Sequence, residues 1–471
     1  MCMRLGKPCK FGPQSTMKSE CVSMTRQYFG TDGIRGRVGQ APISPEFFMR
    51  LAQAVGQHLL SERKQAKVVI GKDTRNSGYM LESALESGFN SVGVDVVLLG
   101  PLPTPAVAHL TRAIRADLGV VISASHNPYE DNGIKFFGPH GGKLDDAWEQ
   151  AVESRFNDPV HFVSARQIGK ARRLDDAAGR YIEFCKSTFP AGMDLKGLHI
   201  VVDAANGAAY QVAPTLFKEL GAEVSVIGNV PDGLNINLEC GATHPSTVSQ
   251  AVLSMKADLG VALDGDADRL IMVDHEGKVR DGDQLLYAIA KHRQMTTHGH
   301  LLGVVGTLMS NFGLEQALQR LGYEFFRAKV GDRYVLEALQ SKGWQLGGES
   351  SGHLLCLDKH TTGDGLISAL QVLVALRHHE TTIKDWLSDL HMLPQHLINV
   401  RLPAGFAWES HGPFIKARAS AEGRLGDSGR VLIRPSGTEP LLRIMVEHPN
   451  DDVALSAAKE MADCLPSELS H

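Results

Sequence analysis

The chain has 471 residues, of which 43% are hydrophobic and 21% are charged, an ordinary composition for a globular protein with several cores. At roughly 150 residues per domain, this length predicts about three domains. The 48 Lys and Arg residues are outnumbered by 53 Asp and Glu residues, so we expect no nucleic acid as a partner. No apolar run approaches the roughly 18 to 20 residues of a membrane helix, so we expect no membrane partner either.

The cysteine content points to a reducing compartment. There are 7 cysteines, an odd number that does not suit a disulfide framework, and we therefore expect a cytoplasmic protein. Residues 1–23 show neither apolar periodicity nor the apolar segment of a secretion signal, so we expect a disordered N-terminal extension. The apolar pattern begins after Met24, so the sequence leaves open whether translation starts at Met1 or at Met24.

Short β-branched runs alternate with helical patterns as far as residue 392, which predicts βαβ units around mostly parallel, mixed sheets. The predicted strands are Lys67–Ile70, Val94–Leu99, Leu118–Ser123, His199–Val202, Glu223–Ile227, Leu259–Leu263 and Leu302–Val305. The predicted helices are Pro45–Leu60, Tyr79–Gly88, Thr104–Arg115, Ala177–Phe189, Val212–Leu220 and Gly313–Leu321. Strands containing Val68, Ile200 and Val304 each run into a small polar turn with an Asn, so we expect three similar α/β units.

The pattern changes after about residue 392, where short strands are separated by Gly and Pro turns and followed by one amphipathic helix. The predicted strands are Leu397–Leu402, Arg430–Ile433 and Leu441–Glu447, and the helix is Asp451–Cys464. A small α+β domain therefore ends the chain. We place the domains at residues 24–176, 177–276, 277–392 and 393–471.

The segment Ser123–Pro128 (S-A-S-H-N-P) directly follows a predicted strand. It therefore places small hydroxyls at the carboxyl end of a sheet, where α/β proteins bind ligands. A capping serine before an ordinary turn is the alternative. Downstream, Asn132-Gly133 is a dipeptide typical of hairpin turns, and it predicts a chain reversal that carries Lys135 back to this loop.

Three carboxylates, Asp264, Asp266 and Asp268, occupy alternate positions after another buried strand. Two carboxylates about 4 Å apart repel by roughly 4 kcal/mol at an effective dielectric constant near 20, so three that converge call for a divalent cation. Oxygen ligands favour Mg²⁺. An EF-hand is excluded, because Arg269 and His275 stand where its Gly and Glu are needed. A phosphohydrolase that uses Asp264 as its nucleophile stays open.

Two further loops carry polar groups between glycines and prolines. In G-G-E-S-S-G-H (Gly347–His353), glycines bracket Glu349, Ser351 and His353, as in a loop that lies against a polyol, although an ordinary Gly-rich turn is the alternative. In R-P-S-G-T-E-P (Arg434–Pro440), guanidinium, hydroxyl and backbone N–H donors follow within five residues, which favours phosphate binding. The sequence has no P-loop and no G-x-G-x-x-G motif after a strand, so nothing predicts a nucleotide site.

Together with T-D-G-I-R-G (Thr31–Gly36), these four loops resemble the α-D-phosphohexomutase family, in its order and from about Met24 to the end of the chain. The resemblance implies three similar mixed-sheet α/β domains plus a C-terminal α+β domain around a central active-site cleft. It also implies an isomerase that moves a phosphoryl group between two hydroxyls of a hexose phosphate, through a phosphoserine enzyme and a 1,6-bisphosphate. The last domain of similar enzymes can swing shut.

The resemblance also assigns residues. Ser125 would carry the phosphoryl group and, with Asp264, Asp266 and Asp268, would hold one Mg²⁺ per chain. Lys135 and Arg269 would steady the transferring oxygens, and His126 or His353 would move the proton. The substrate would be bound by Arg35, Glu349, Ser351, Arg434, Ser436, Gly437, Thr438 and Arg443.

Two short sequence runs indicate which sugar phosphate the chain acts on. Gly348–Ser351 and V-G-D-R-Y-V (Val330–Val335) resemble the branch that acts on glucosamine phosphates, although Ser350 stands where that branch is expected to have Gln. We therefore expect a hexosamine phosphate substrate, a place in UDP-N-acetylglucosamine and cell-wall synthesis, and glucosamine or glucose 1,6-bisphosphate as activator. A homodimer is left open. The alternatives are the same chemistry on mannose or glucose phosphates, a Mg²⁺-dependent phosphohydrolase, and a catalytically silent sugar-phosphate-binding protein.

Overall fold

The computed structural model describes residues 27–30, 32–296, 302–403, 405–435 and 441–466. The predicted extension 1–23, Met24 and three residues of the phosphate loop (Ser436, Gly437 and Thr438) lie outside the described residues. Within these ranges, no helix has both the length and the apolar character needed to cross a bilayer.

The first α/β unit contains a six-stranded mixed sheet. Its strands are β1 (Ile34–Arg37), β2 (Lys67–Lys72), β3 (Asp95–Pro101), β4 (Leu118–Ile122), β5 (Asp131–Phe137) and β6 (Ala171–Arg173), in the order β1-β5-β4-β2-β3-β6. Its helices are α1 (Pro45–Glu62), α2 (Asn76–Ser91), α3 (Thr104–Ala113) and α4 (Asp146–Arg155). Helix α1 begins where the sequence provides a cap, because the Ser44 hydroxyl accepts the Phe47 N–H and Pro45 takes the first helical position.

The second and third units have the same construction. The second contains α5 (Ala177–Ser187), β7 (His199–Asp203), α6 (Val212–Glu219), β8 (Glu223–Ile227), α7 (Pro245–Met255), β9 (Leu259–Leu263), β10 (Leu270–Asp274) and β11 (Val279–Arg280), with strand order β11-β10-β9-β7-β8. The third contains α8 (Gly282–Thr296), β12 (Gly303–Thr307), α9 (Phe312–Arg320), β13 (Glu324–Ala328), α10 (Asp332–Lys342), β14 (Leu346–Gly348), β15 (Leu354–Cys356), α11 (Gly365–His378) and α12 (Ile383–Trp386), with strand order β13-β12-β14-β15. The boundary expected at residue 276 falls between the paired strands β10 and β11.

The C-terminal unit is a three-stranded antiparallel sheet with two helices. It contains β16 (Gln395–Arg401), a 3₁₀ turn (Trp408–Ser410), α13 (Gly412–Leu425), a second 3₁₀ turn (Gly426–Ser428), β17 (Arg430–Pro435), β18 (Leu441–Glu447) and α14 (Asp451–Asp463), with strand order β16-β18-β17. The predicted fold class, with three mixed α/β units and one α+β unit, is therefore confirmed.

The repeat seen in the sequence is a repeat of topology. Strands β2, β7 and β12 each lie between two parallel neighbours. One of those neighbours continues through a loop into an antiparallel partner, giving the hairpins β4–β5, β9–β10 and β14–β15. The loops of these three hairpins are Ser123–Glu130, Asp264–Arg269 and Glu349–His353, so three predicted functional segments occupy the same position in three units.

The turn predicted at Asn132-Gly133 is wrong. The chain reverses in the loop before it, and both residues lie inside β5, opposite Gly36 and Arg35 of β1. A Cβ atom on Gly133 would lie 2.6 Å from the Ile34 carbonyl oxygen and 2.8 Å from that of Ser123. Close approach of neighbouring backbones, and not a turn, therefore explains this glycine.

The three α/β units share a core, whereas the C-terminal unit has its own. One apolar cluster includes Val107 of the first unit, Phe217 of the second and Leu373 of the third. The C-terminal cluster is formed only by residues after position 397. This unit contacts the third through Glu447, whose carboxylate pairs with Arg430 at 2.6 Å and accepts the Phe312 N–H at 3.0 Å. A polar contact therefore supports this junction.

Candidate active site

Loops from all three α/β units meet around a cavity of about 380 Å³. At its base the Ser125 hydroxyl donates a hydrogen bond of 2.7 Å to Asp264 Oδ2. The residues that line the cavity are Tyr28, Gly30, Asp32, Gly33, Arg35, Ser125, Asp268, Arg269, Gly331, Asp332, Glu349 and His353. The predicted residues Ser125, Arg35, Asp268, Arg269, Glu349 and His353 are thus brought together from segments far apart in the chain.

Ser125 is held in an unusual backbone conformation. Its φ of 52° lies in the left-handed region, which costs about 1 kcal/mol or more for a residue with a Cβ. The Ser123 hydroxyl accepts the Ser125 N–H at 2.9 Å, while Arg75 Nη2 and Asn237 Nδ2 donate to the Ser125 carbonyl at 3.2 and 3.0 Å. These contacts fix the direction in which the hydroxyl points.

Sequence analysis missed both residues that hold the Ser125 loop. Arg75 is fully buried beside Asp73 and also donates to the Asn127 carbonyl at 2.5 Å. Asn237, from the second unit, donates to the same carbonyl at 3.1 Å. Arg75 follows the first repeated strand in a polar turn, which is a usable signal, whereas nothing in the sequence around Asn237 indicates this role.

The three aspartates form a compact set of oxygen ligands. Carboxylate oxygens of Asp264, Asp266 and Asp268 lie within 4.8 Å of one another. The Oδ1 atoms of Asp266 and Asp268 are buried without a hydrogen-bond partner. Burial, together with the charges of Asp268 and Asp266, raises the pKa of Asp264 to about 8. Buried carboxylate oxygens with open lone pairs fit a hard divalent cation, so the residues present suit the metal that the sequence predicts.

Lys135 supplies positive charge beneath the cavity. Its ammonium group lies 3.1 Å from both Asp266 and Asp32 and 3.3 Å from Asp268. Burial alone would lower the pKa of Lys135, but the carboxylates of Asp266, Asp32 and Asp268 raise it well above its ordinary value. The side chain therefore stays charged. Asp32, which sequence analysis did not single out although it belongs to T-D-G-I-R-G, also pairs with Arg35 at 2.5 Å.

The two candidate proton-transfer histidines differ in protonation. Burial disfavours the charged form of His353, but the carboxylates of Asp268 and Asp332 raise its pKa to about 9. Burial and the nearby Arg269 lower the pKa of His126 to about 4, and its Nδ1 lies 3.3 Å from Ser125 Oγ. At neutral pH His353 is therefore an imidazolium on the cavity wall, and His126 is a neutral ring beside the hydroxyl.

The residues predicted to bind the sugar and the second phosphate only partly line the cavity. Glu349 lines the cavity and accepts the Gly331 N–H at 2.9 Å, whereas Ser351 is exposed and is not among the lining residues. Arg434 and Arg443 lie opposite each other on β17 and β18, also outside the lining residues. Arg443 Nε is buried without a hydrogen-bond partner, and burial together with Arg443 lowers the pKa of Arg434. Two adjacent guanidinium groups of this kind suit an anion.

Comparison with known proteins identifies the family of the chain. Models of the phosphoglucomutase/phosphomannomutase alpha/beta/alpha domains I, II and III match residues 26–160, 179–277 and 281–392, and the model of the C-terminal domain matches residues 397–464. The chain belongs to the phosphohexomutase family. Its members are mutases, so the predicted family and the predicted class of enzyme, an isomerase, are both confirmed.

Two curated relatives with about 60% identity to the chain are both phosphoglucosamine mutases. The chain is 60% identical over 445 residues to a phosphoglucosamine mutase of Azoarcus sp. (strain BH72), which covers 93% of this chain and 98% of that protein. It is 62% identical over 440 residues to a phosphoglucosamine mutase of Acidovorax sp. (strain JS42), at 93% and 99% coverage.

Solved structures support the same fold. A phosphoglucomutase/phosphomannomutase family protein from Burkholderia thailandensis superposes with a TM-score of 0.77 at 25% identity, covering 93% of this chain and 97% of its own. Aspergillus fumigatus N-acetylphosphoglucosamine mutase, solved with GlcNAc-6P and magnesium, gives a TM-score of 0.64 at 20% identity over 94% and 96% of the two chains. The phosphohexomutase architecture therefore extends over the whole cavity region.

Proposed function

We propose that the chain interconverts glucosamine 6-phosphate and glucosamine 1-phosphate through a phosphorylated Ser125 and a glucosamine 1,6-bisphosphate. The observation that supports this most directly is the position of the Ser125 hydroxyl, 2.7 Å from a buried carboxylate at the base of a sugar-sized cavity. Relatives at 60 and 62% identity carry the matching name. The product would feed UDP-N-acetylglucosamine and cell-wall synthesis in the cytoplasm.

The first step transfers the phosphoryl group from Ser125 to the free hydroxyl of the bound monophosphate. The bond between phosphorus and Ser125 Oγ breaks, a bond to the sugar oxygen forms, and the proton that the sugar hydroxyl loses is balanced by the proton that Ser125 Oγ gains. The second step is the reverse reaction at the other phosphate. Uncatalysed cleavage of phosphate monoesters is among the slowest known reactions, so most of the catalysis must come from positioning and charge.

The protein's own residues supply both the positioning and the charge. Lys135 lies beside Asp266 and Asp268, and Arg269 lies on the cavity wall, so their fixed positive charges would face the transferring oxygens. His126 Nδ1 can take the Ser125 proton when the serine is the acceptor and return it when the serine leaves. A phosphate beside His126 would raise its pKa toward neutrality, which suits this role.

We assign the metal as one Mg²⁺, held by Asp264, Asp266 and Asp268 with the phosphorylated Ser125 as a further ligand. When bound, it neutralises negative charge on the transferring group. Arg434 and Arg443, with Ser436, Gly437 and Thr438, would grip the phosphate that is not reacting. Glu349 and Ser351 would bind sugar hydroxyls, and glucosamine or glucose 1,6-bisphosphate would load Ser125 in resting enzyme. A homodimer is the oligomeric state to be tested by light scattering.

Intact mass and a peptide map of enzyme purified from its native host test the covalent step. We expect one phosphoryl group on Ser125, its loss in Ser125→Ala, and its retention in the control Ser154→Ala, an exposed serine of the same unit. Ser125→Ala should lose mutase activity by more than about 1,000-fold, because the carrier is gone. Release of free phosphate without phosphoserine would instead indicate a phosphohydrolase that uses Asp264. Assays with glucosamine, glucose and mannose 6-phosphates test the substrate.

A further inference from the structure

The cavity wall contains a carboxylate that the mechanism above leaves unused. Asp332 begins α10 and lines the same cavity as Ser125, Glu349 and His353. Its side chain is 16% exposed. Lys143 and His353 offset part of its negative charge, and an ammonium group on the substrate would offset it further.

The other carboxylates that line the cavity already have a proposed role or close partners. Asp268 belongs to the metal cluster. Asp32 has three cationic side chains within 3.1 Å, those of Arg35, Lys135 and Lys143. Glu349 accepts the Gly331 N–H and lies near the Arg269 guanidinium. Asp332 is the remaining carboxylate of the cavity wall, and the mechanism gives it no role.

The Asp332 carboxylate keeps acceptor capacity, because each of its oxygens can accept two hydrogen bonds. Its Oδ2 pairs with Lys143 Nζ, and its Oδ1 accepts the N–H of its neighbour Arg333 at 2.6 Å. His353 Nε2 lies 3.7 Å from Asp332 Oδ2, too far for a hydrogen bond, and is buried without a hydrogen-bond partner. An acceptor and an unpaired donor thus lie side by side on the wall, a pattern that matches an ammonium group next to a hydroxyl oxygen on a sugar ring.

We propose that Asp332 forms the subsite for the C2 ammonium group of the substrate and sets the preference for an amino sugar over a neutral hexose phosphate. This proposal rests on the proposed function. An ammonium group adds a Coulomb attraction to the carboxylate that a neutral hydroxyl lacks, so the charge of Asp332 favours glucosamine phosphates in particular.

The test compares kcat/KM for glucosamine 6-phosphate and glucose 6-phosphate in wild type and Asp332→Asn, which keeps the shape of the side chain and removes its charge. We expect the glucosamine value to fall about tenfold, equal to about 1.4 kcal/mol, and the glucose value to change less than about twofold. Where turnover of glucose 6-phosphate is too slow to measure, the Kd values of both sugar phosphates on Ser125→Ala enzyme give the same ratio.

A matched control separates recognition from support of the fold. Asp146 of α4 pairs with Arg333, the residue next to Asp332, across the junction of the first and third units, and it is not a cavity-lining residue. Asp146→Asn should therefore affect the two substrates equally, because it disturbs this junction without removing charge from the cavity.

The pH dependence of the preference gives an independent readout on wild-type enzyme. The charged side chains that face Asp332 are Lys143 and His353. Both are retained in Asp332→Asn, which therefore serves as the control for their titration. The amine, like an α-amino group, loses its proton near about pH 8. The ratio of the two kcat/KM values should thus fall as the pH rises through this range in wild type and stay flat in Asp332→Asn.

Equal losses for both substrates in Asp332→Asn, or a wild-type ratio that does not change with pH, would overturn the proposal. If Asp332→Asn fails to fold, Asp332→Ser takes its place in both comparisons. The absence of any mutase activity on glucosamine 6-phosphate in wild type would instead refute the proposed function.

Discussion

The contact between Asn237 and the Ser125 loop allows a sharp test of how the carrier serine is positioned. The change Asn237→Gly removes the amide that donates to the carbonyls of Ser125 and Asn127 at 3.0 and 3.1 Å. Each neutral hydrogen bond contributes about 0.5–1.5 kcal/mol, a loss of about 1–3 kcal/mol of stability in total. Asn237 itself has a φ of 59°, so glycine recovers about 1 kcal/mol, and the net loss should be about 0–2 kcal/mol.

The effect on catalysis should be larger than the effect on stability. The left-handed φ of Ser125 stores about 1–3 kcal/mol, and a loop released by the mutation can relax to ordinary backbone angles. If the productive geometry then has to be regained in each turnover, kcat falls by about 5- to 150-fold. KM for the sugar phosphate should hardly change, because Asn237 does not line the cavity.

The assay is steady-state kinetics together with a urea unfolding curve and the phosphorylated fraction of Ser125 by intact mass. The control is Asn235→Gly, which lies two residues away and whose contacts stay within the second unit. An Asn237→Gly enzyme with wild-type kcat and full phosphorylation would refute the idea that this amide positions the carrier. A rise in KM with unchanged kcat would refute it as well, since that pattern belongs to lost substrate contacts.

Three further changes follow from the same geometry. Lys135→Met leaves Asp266 and Asp268 buried without their ammonium partner. The free energy of unfolding of the metal-free enzyme, measured in urea, should therefore fall by about 3–5 kcal/mol, and added Mg²⁺ should restore part of it. An unchanged urea midpoint would contradict the pairing. Below about pH 8, Asp264 of the metal-free enzyme holds a proton that Mg²⁺ must displace. Calorimetry should therefore show that the Kd for Mg²⁺ rises about tenfold for each pH unit below 8 and that one proton is released on binding. A Kd that does not depend on pH would contradict the protonation of Asp264. Arg434→Ala should raise KM with a smaller effect on kcat, whereas an unchanged KM would remove Arg434 from the anion clamp.

Much of the fold could be predicted because strands and helices leave local periodic patterns in the sequence. The strands Glu223–Ile227 and Leu259–Leu263 have the predicted bounds, and the three polar turns revealed the three similar units. The exception, Asn132-Gly133, shows the limit of a local rule. Its turn propensity is real, but the space between β1 and the Ser123 carbonyl decides its conformation, and a sequence pattern does not contain that distance.

The residues of the candidate site likewise fall into those that a sequence pattern indicates and those that it does not. Ser125 and the three aspartates follow buried strands directly, so their position in the chain indicates their chemistry. Lys143 and Asn237 act on groups that are more than 100 residues away in the chain, and only the packing of the units brings them there. Asp332 lies in Val330–Val335, a run that indicates only a family resemblance in the sequence. Its place in the cavity wall depends on where α10 begins.

The hairpin loops that follow β4, β9 and β14 have a consequence for how such an enzyme can change. Each loop is closed on both sides by a ladder of backbone hydrogen bonds, so its residues can be replaced while the sheet beneath keeps its register. The proposed phosphate carrier, the proposed cation ligands and the proposed sugar-binding Glu349 thus lie in three separate loops on a common frame. On this proposal, a change in one loop can leave the chemistry of the other two intact.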